Sequence, residues 1–184
     1  MIQDPGDSGE SSRAFAPIRI EQSQNPQYGA RCVARRSLRR GEAIVRLSGA
    51  LTRQNYRTIQ IDKYRHLEEP RVLAFLNHSC HPTVLVDTNC LMVFAATDII
   101  AGEELTFFYP STEWKMVRPF ICLCGSSQCL HYIAGAQHLS LDTLGRYFIN
   151  AHIGELATAS LCTKSQLSRR RIELSQRRTH GDFP

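Results

Sequence analysis

Cys122, Cys124 and Cys129 fall in the pattern C-x-C-x4-C, with Gly125 directly after the second cysteine. Zinc takes four soft ligands in a tetrahedron, and closely spaced thiolates on a tight turn supply several of them at little ordering cost. A fourth ligand must come from elsewhere, and Cys80, in the run Asn77-His78-Ser79-Cys80, is the best candidate. The competing reading is that these thiols pack as small hydrophobes. Three cysteines within eight residues around a Gly-Ser turn would make a poor core. Cys32, Cys90 and Cys162 lack such company and read as structural. A second run, Phe107-Phe108-Tyr109, has the chemistry to wall a channel for a cation, and taken alone it reads equally as a buried strand end. A lone His78 reads first as a hydrogen-bonded core histidine.

These residues need elements to hold them. Short strands are predicted at Cys32–Ala34, Ala43–Leu47, Thr58–Ile61, Thr83–Asp87, Cys90–Ala96 and Glu104–Tyr109. Turn signals separate them at Arg40-Gly41, Ser48-Gly49, His81-Pro82, Asp87-Thr88-Asn89 and Ala101-Gly102. No helices of 10–15 residues alternate with these strands, which argues against a doubly wound parallel sheet. The expectation is a mainly β fold of small curved sheets, with one short helix between Glu69 and Asn77. After Ser140, Leu141, Leu144, Tyr147, Phe148 and Ile153 recur at helical spacing and predict a docked helix.

Four runs in register carry a family resemblance. Asn77-His78-Ser79-Cys80 with Pro82 resembles the signature of SET-domain methyltransferases, and Gly102-Glu103-Glu104-Leu105-Thr106-Phe107-Phe108-Tyr109 is similar to that family's second motif. The stretch from Phe120 through Cys129 to Ala136 resembles the post-SET segment, and Cys32 to Ile44 the opening strand and turn. The matched region runs from Tyr28 to Leu139. The resemblance implies a β-clip fold with a pseudoknot around Asn77-His78, a zinc-bound post-SET lid and a C-terminal helical extension. It divides the chain into a disordered lead (1–16), a SET domain (17–117), a post-SET zinc segment (118–139) and an extension with a basic tail (140–184).

The resemblance also implies S-adenosylmethionine and zinc as cofactors. Carried over by position, Gly29, Ala30, Arg31, Asn77, His78, Tyr109 and Trp114 would meet the cofactor. Tyr109, Asn77 and His78 would be the catalytic group, and Leu47, Phe107 and Phe108 would wall the acceptor channel. Cys80, Cys122, Cys124 and Cys129 would hold the zinc. The implied activity is methyl transfer to a protein lysine. Phenol and carbonyl oxygens can polarise methyl C–H bonds while the protein aligns the reactants.

Four positions depart from the family pattern. Arg31 stands where the second glycine of the first motif belongs, Thr83 follows Pro82, Phe107 replaces a tyrosine, and Leu47-Ser48-Gly49-Ala50 replaces a Tyr-x-Gly-Glu run. The segment between Gly49 and Asn77 is also short. Two alternatives follow: a SET-like enzyme on a small molecule (a cyclase, isomerase or methyltransferase, with or without the cofactor), and a catalytically silent zinc-stabilised interaction module.

Composition narrows the setting. The longest apolar run, Leu91 to Ala96, is far short of the roughly 20 residues of a membrane span. The N-terminal residues show neither a basic nor an apolar leader segment. Seven cysteines without an even framework predict reduced thiols in the nucleus or cytoplasm. The net charge of +5 arises mostly beyond Leu161, where six basic residues face two acidic ones, so a specific nucleic-acid partner is not expected.

Overall fold

The structure is a computed structural model that describes residues 17–23, 29–163 and 166. The expected lead (1–16) and most of the basic tail lie outside the described residues. Twelve short strands form five small sheets among the described residues. Strands β1 (Ile18–Gln22) and β2 (Ala30–Ala34) pair antiparallel, and β2 carries the Ala30-Arg31 pair at its start. Strands β3 (Ala43–Arg46), β8 (Val84–Asp87) and β9 (Met92–Ala95) form a three-stranded sheet with β9 in the middle. A second three-stranded sheet sets β6 (His66–Glu68) between β4 (Ala50–Thr52) and β5 (Thr58–Gln60). The remaining two sheets matter most for the site. One is a parallel pair, β7 (Asn77–His78) with β10 (Thr106–Phe107); the other joins β11 (Phe120–Ile121) to β12 (Tyr132–Ile133).

The alternating pattern explains the central sheet. Val84, Val86, Val93 and Ala95 point inward and are essentially buried, joined by Leu38, Leu47, Leu76, Ile99 and Leu105. A smaller cluster of Ala136, Leu144, Ile153 and Ala157 fastens the C-terminal part, with Trp114 packed against it.

Two helical expectations are corrected. The helix expected between Glu69 and Asn77 is one 3-10 turn, Leu73–Phe75. The buried Glu69 carboxylate accepts the amides of Val72 (2.7 Å) and Leu73 (3.1 Å), which closes the turn early. Leu76 is then extended so that Asn77 and His78 can pair with β10. The single C-terminal helix is two: α1 (Leu141–Leu144) and α2, described over 151–163. Between them the chain leaves helical form, and Tyr147 lays its ring flat on Phe108 at 3.7 Å while its hydroxyl donates to the Cys80 carbonyl at 3.0 Å.

Asn150 fixes where α2 begins. Its buried amide oxygen accepts from the Thr88 amide (2.8 Å) and hydroxyl (3.0 Å), and its NH2 donates to the carbonyls of Val86 and Ser111, both at 2.9 Å. Burying Ile153 beside it contributes about 2 kcal/mol, so apolar packing supplies the affinity and Asn150 sets the register. Asn150→Ala removes all four of these hydrogen bonds, with only the Ser111 carbonyl keeping the residue-150 backbone amide at 3.2 Å, and should cost about 3 kcal/mol in a urea melt. The exposed Thr158→Ala in α2 should cost less than about 0.5 kcal/mol; equal effects from both would refute the pinning role.

Candidate active site and cysteine cluster

The 118–139 segment brings its three cysteines back to β7. The Sγ atoms of Cys80, Cys122, Cys124 and Cys129 all lie within 4.8 Å of one another, and Cys80 and Cys122 are 3.9 Å apart. A zinc–sulfur distance of about 2.3 Å requires tetrahedron edges of about 3.8 Å, so the cluster already has the dimensions of a four-thiolate metal site. The Leu130 amide points at Cys80 Sγ at 3.3 Å and the His131 amide at Cys129 Sγ at 3.4 Å, as donors to thiolates would. Burial pushes the Cys80 thiol up to about 11, while at Cys124 burial is outweighed by hydrogen bonds that bring the thiol down to about 7; a cation at the centre would favour the thiolate form of the whole set. All seven cysteines are free thiols.

His78 links this cluster to the aromatic run. Its Nδ1 accepts the Tyr109 amide at 3.2 Å, and its Nε2 lies 3.4 Å from Cys80 Sγ. An amide can only donate, so Nδ1 must be unprotonated and Nε2 carries the proton toward sulfur. Burial holds the imidazole down at about 4, which keeps it neutral and in that tautomer at physiological pH. Tyr109 opens a 3-10 turn, Tyr109–Ser111, and its hydroxyl donates to the Leu76 carbonyl at 2.9 Å. Burial pushes its pKa well above the usual phenol range, so the hydroxyl stays protonated.

Two hollows flank β10. Successive strand residues face opposite ways: Phe107 lines a cavity of about 880 Å³, and Thr106 a smaller hollow of about 160 Å³. The larger cavity falls within the usual range for small-molecule sites and is walled by Tyr56, Phe75, Phe107, Tyr109 and Phe120, with Gly29 at its edge. Asn77, His78 and Glu104 line the smaller hollow.

The expected site residues are therefore divided. Asn77 donates to Glu104 at 2.8 Å and to the Ala30 carbonyl at 3.4 Å. Arg31 turns its guanidinium onto Glu21 (2.7 Å) and to within 3.7 Å of Glu104, and it lines neither hollow. Three residues expected at the site lie elsewhere. Leu47 sits in the main core, 1% exposed, just after β3, where its amide donates to the Leu91 carbonyl at 2.8 Å. Phe108 is buried under Tyr147, facing away from Phe107. Trp114 packs on the C-terminal cluster, where Gly135 comes so close that a Cβ there would lie 2.6 Å from the Trp114 carbonyl oxygen.

Glu113 was missed in the sequence. It lines the larger cavity, is 8% exposed, and accepts the Gln60 amide at 2.6 Å. Burial raises its pKa to about 7. In Thr112-Glu113-Trp114 it reads as a surface acid, and its only sequence signal is a position four residues after Tyr109.

Comparison with known proteins agrees with this layout. The SET domain family matches residues 29–110. "Methyltransferase flvH" of Aspergillus flavus is 39% identical over 124 residues, 66% of this chain and 70% of that protein. An H3 lysine-36 specific histone-lysine N-methyltransferase of Schizosaccharomyces pombe is 40% identical over 68 residues; the match takes in 33% of this chain and 8% of that protein. The crystal structure of KRYPTONITE in complex with mCHG DNA and SAH superimposes with a TM-score of 0.52 at 21% identity, covering 62% of this chain and 29% of that one. The methyltransferase domain of human histone-lysine N-methyltransferase SETMAR gives 0.50 at 18% identity, covering 64% of this chain and 58% of that one. At those identities the structures speak for the fold alone. With the family match, the flavus relative and the assembled motifs together, the chain belongs to the SET-domain methyltransferase superfamily.

Proposed function

We propose that the chain transfers a methyl group from S-adenosylmethionine to an amine, with a protein lysine as acceptor. The observation that carries this reading is the Tyr109 hydroxyl, held on the Leu76 carbonyl at the wall of an aromatic cavity that β10 separates from the Asn77 hollow. The donor set suits the cofactor. Gly29 has φ +63° and open space where a Cβ would stand, which leaves backbone accessible. Glu104 offers an anion for an ammonium and Asn77 an amide, whereas the Arg31 guanidinium is engaged by Glu21. Gly29, Ala30, Asn77 and Glu104 would hold the cofactor, which supplies an electrophilic methyl group on a sulfonium.

The chain's own residues do the rest. Tyr109 stays a neutral phenol whose oxygen can face the developing charge, and the Leu76 carbonyl fixes its direction. Phe107 and Phe120 exclude water and present ring faces to a cation. Zinc would be held by Cys80, Cys122, Cys124 and Cys129, and would tie the 118–139 segment to β7. The reading puts the chain in the nucleus or cytoplasm, where thiols stay reduced.

A small-molecule acceptor is the second reading. It is favoured by the coverage: the chain spans 70% of the flavus methyltransferase but 8% of the Schizosaccharomyces pombe histone enzyme. Substrate surveys with histone peptides and with small amines separate the two readings.

Calorimetric titration with S-adenosylmethionine should show binding that Asn77→Ala weakens about tenfold or more; no heat from the wild type at millimolar ligand would remove the cofactor from the account. Tyr109→Phe should retain that binding while single-turnover methyl transfer falls on the order of 100-fold, and an unchanged rate would take Tyr109 out of the chemistry. Elemental analysis of protein purified without chelator should return about one zinc per chain, and Cys124→Ser should lose it. A metal-free wild type would leave the cysteines as packing residues.

A further inference from the structure

Glu113 is a buried acid that the reaction outlined above does not use. It sits in the wall of the larger cavity, and its backbone amide donates to the Tyr109 carbonyl at 3.0 Å, so the two side chains spring from one turn. The carboxylate is held at one oxygen: Oε1 accepts the Gln60 amide at 2.6 Å, and Gln60 Oε1 in turn accepts the Trp114 amide at 3.0 Å. The other oxygen, Oε2, has only the Gln54 amide at 3.5 Å, and Gln54 is engaged at 2.6 Å with the Lys115 carbonyl. No ion pair reaches Glu113 among the described residues.

A buried carboxylate without a cation is costly, and the cost falls when it takes up a proton or when a ligand supplies the missing charge. The surroundings say which charge. The walls are aromatic and favour a cation, while the charged groups sharing the cavity are Glu68, Arg57 and Arg118. Both guanidiniums are drawn onto the exposed Tyr56 ring, at 5.3 Å and 4.2 Å from its centroid.

We propose that the Glu113 carboxylate is the recognition point for the alkylammonium group of the methyl acceptor, and takes a proton from it. The N–H bond breaks, an O–H bond forms at Oε2, and the electron pair stays on nitrogen, free to attack the methyl carbon. The proton later leaves to water. Burial leaves Glu113 with a proton affinity near neutrality, suited to both steps. The proposal rests on the amine-methylation reading and is common to a lysine side chain and a free amine.

The test uses the full chain at about pH 8, where the carboxyl is mostly ionised and an alkylamine is still charged. n-Pentylamine, Nα-acetyl-lysine methylamide and the neutral 1-pentanol are titrated in turn, followed by amide NMR shifts. Wild type should prefer at least one amine over the alcohol by about tenfold or more, and Glu113→Gln should erase that preference while leaving alcohol binding unchanged. The tighter amine names the source, peptide lysine or free molecule. Equal binding of amine and alcohol by the wild type, no binding of either amine, or an undiminished preference in Glu113→Gln would overturn the proposal; the first two need no variant to fold. S-adenosylmethionine titrated into the same samples keeps the questions apart. Cofactor binding without amine selectivity sinks Glu113 alone, and amine selectivity without cofactor binding sinks methyl transfer alone.

Discussion

The imidazole of His78 is the joint on which the site depends. One ring nitrogen takes the Tyr109 amide and the other faces Cys80, so a single buried side chain connects the cysteine cluster to the start of the turn that carries Tyr109 and Glu113. Burial disfavours the charged form, and the Tyr109 amide selects against the other neutral tautomer. The result is a fixed polarity running from backbone amide through ring to sulfur. A charge placed on Cys80, by a metal or by deprotonation, strengthens the Nε2–H contact and with it the position of Tyr109.

The C-terminal part serves the same joint. Tyr147 donates to the Cys80 carbonyl and covers Phe108, while Trp114 and Gly135 lock the end of the 118–139 segment against the chain after Glu113. Asn150 then anchors this whole wrap to Val86, Thr88 and Ser111. The extension is a brace for the site, joined to it by polar contacts of defined geometry over an apolar patch.

How much of this was legible in the sequence follows from the range of the interactions. Cys80 and the C-x-C-x4-C run were legible because metal chemistry constrains spacing, and the strand pattern was legible because alternation writes burial into residue order. The Glu69–Asn77 helix failed because a buried carboxylate ended the turn, a contact that no periodicity records. Arg31, standing where the motif has a glycine, was expected to meet the cofactor; pairing with Glu21 across the β1–β2 ladder draws it aside, and that partner is fixed by register. Leu47 and Phe108 followed from motif position, but each stands just past a strand end, where its burial is decided by what later folds against it, Tyr147 in the case of Phe108. Glu113 was hidden for the opposite reason, since a charged residue in a loop gives no sign that the chain will fold over it.

The most direct test of this account is the affinity for S-adenosylmethionine measured on one preparation before and after metal removal. If the cysteine cluster holds the site through His78, stripping the metal should weaken binding by about tenfold or more, and adding zinc back should restore it. Unchanged affinity in the stripped, still folded protein would contradict it.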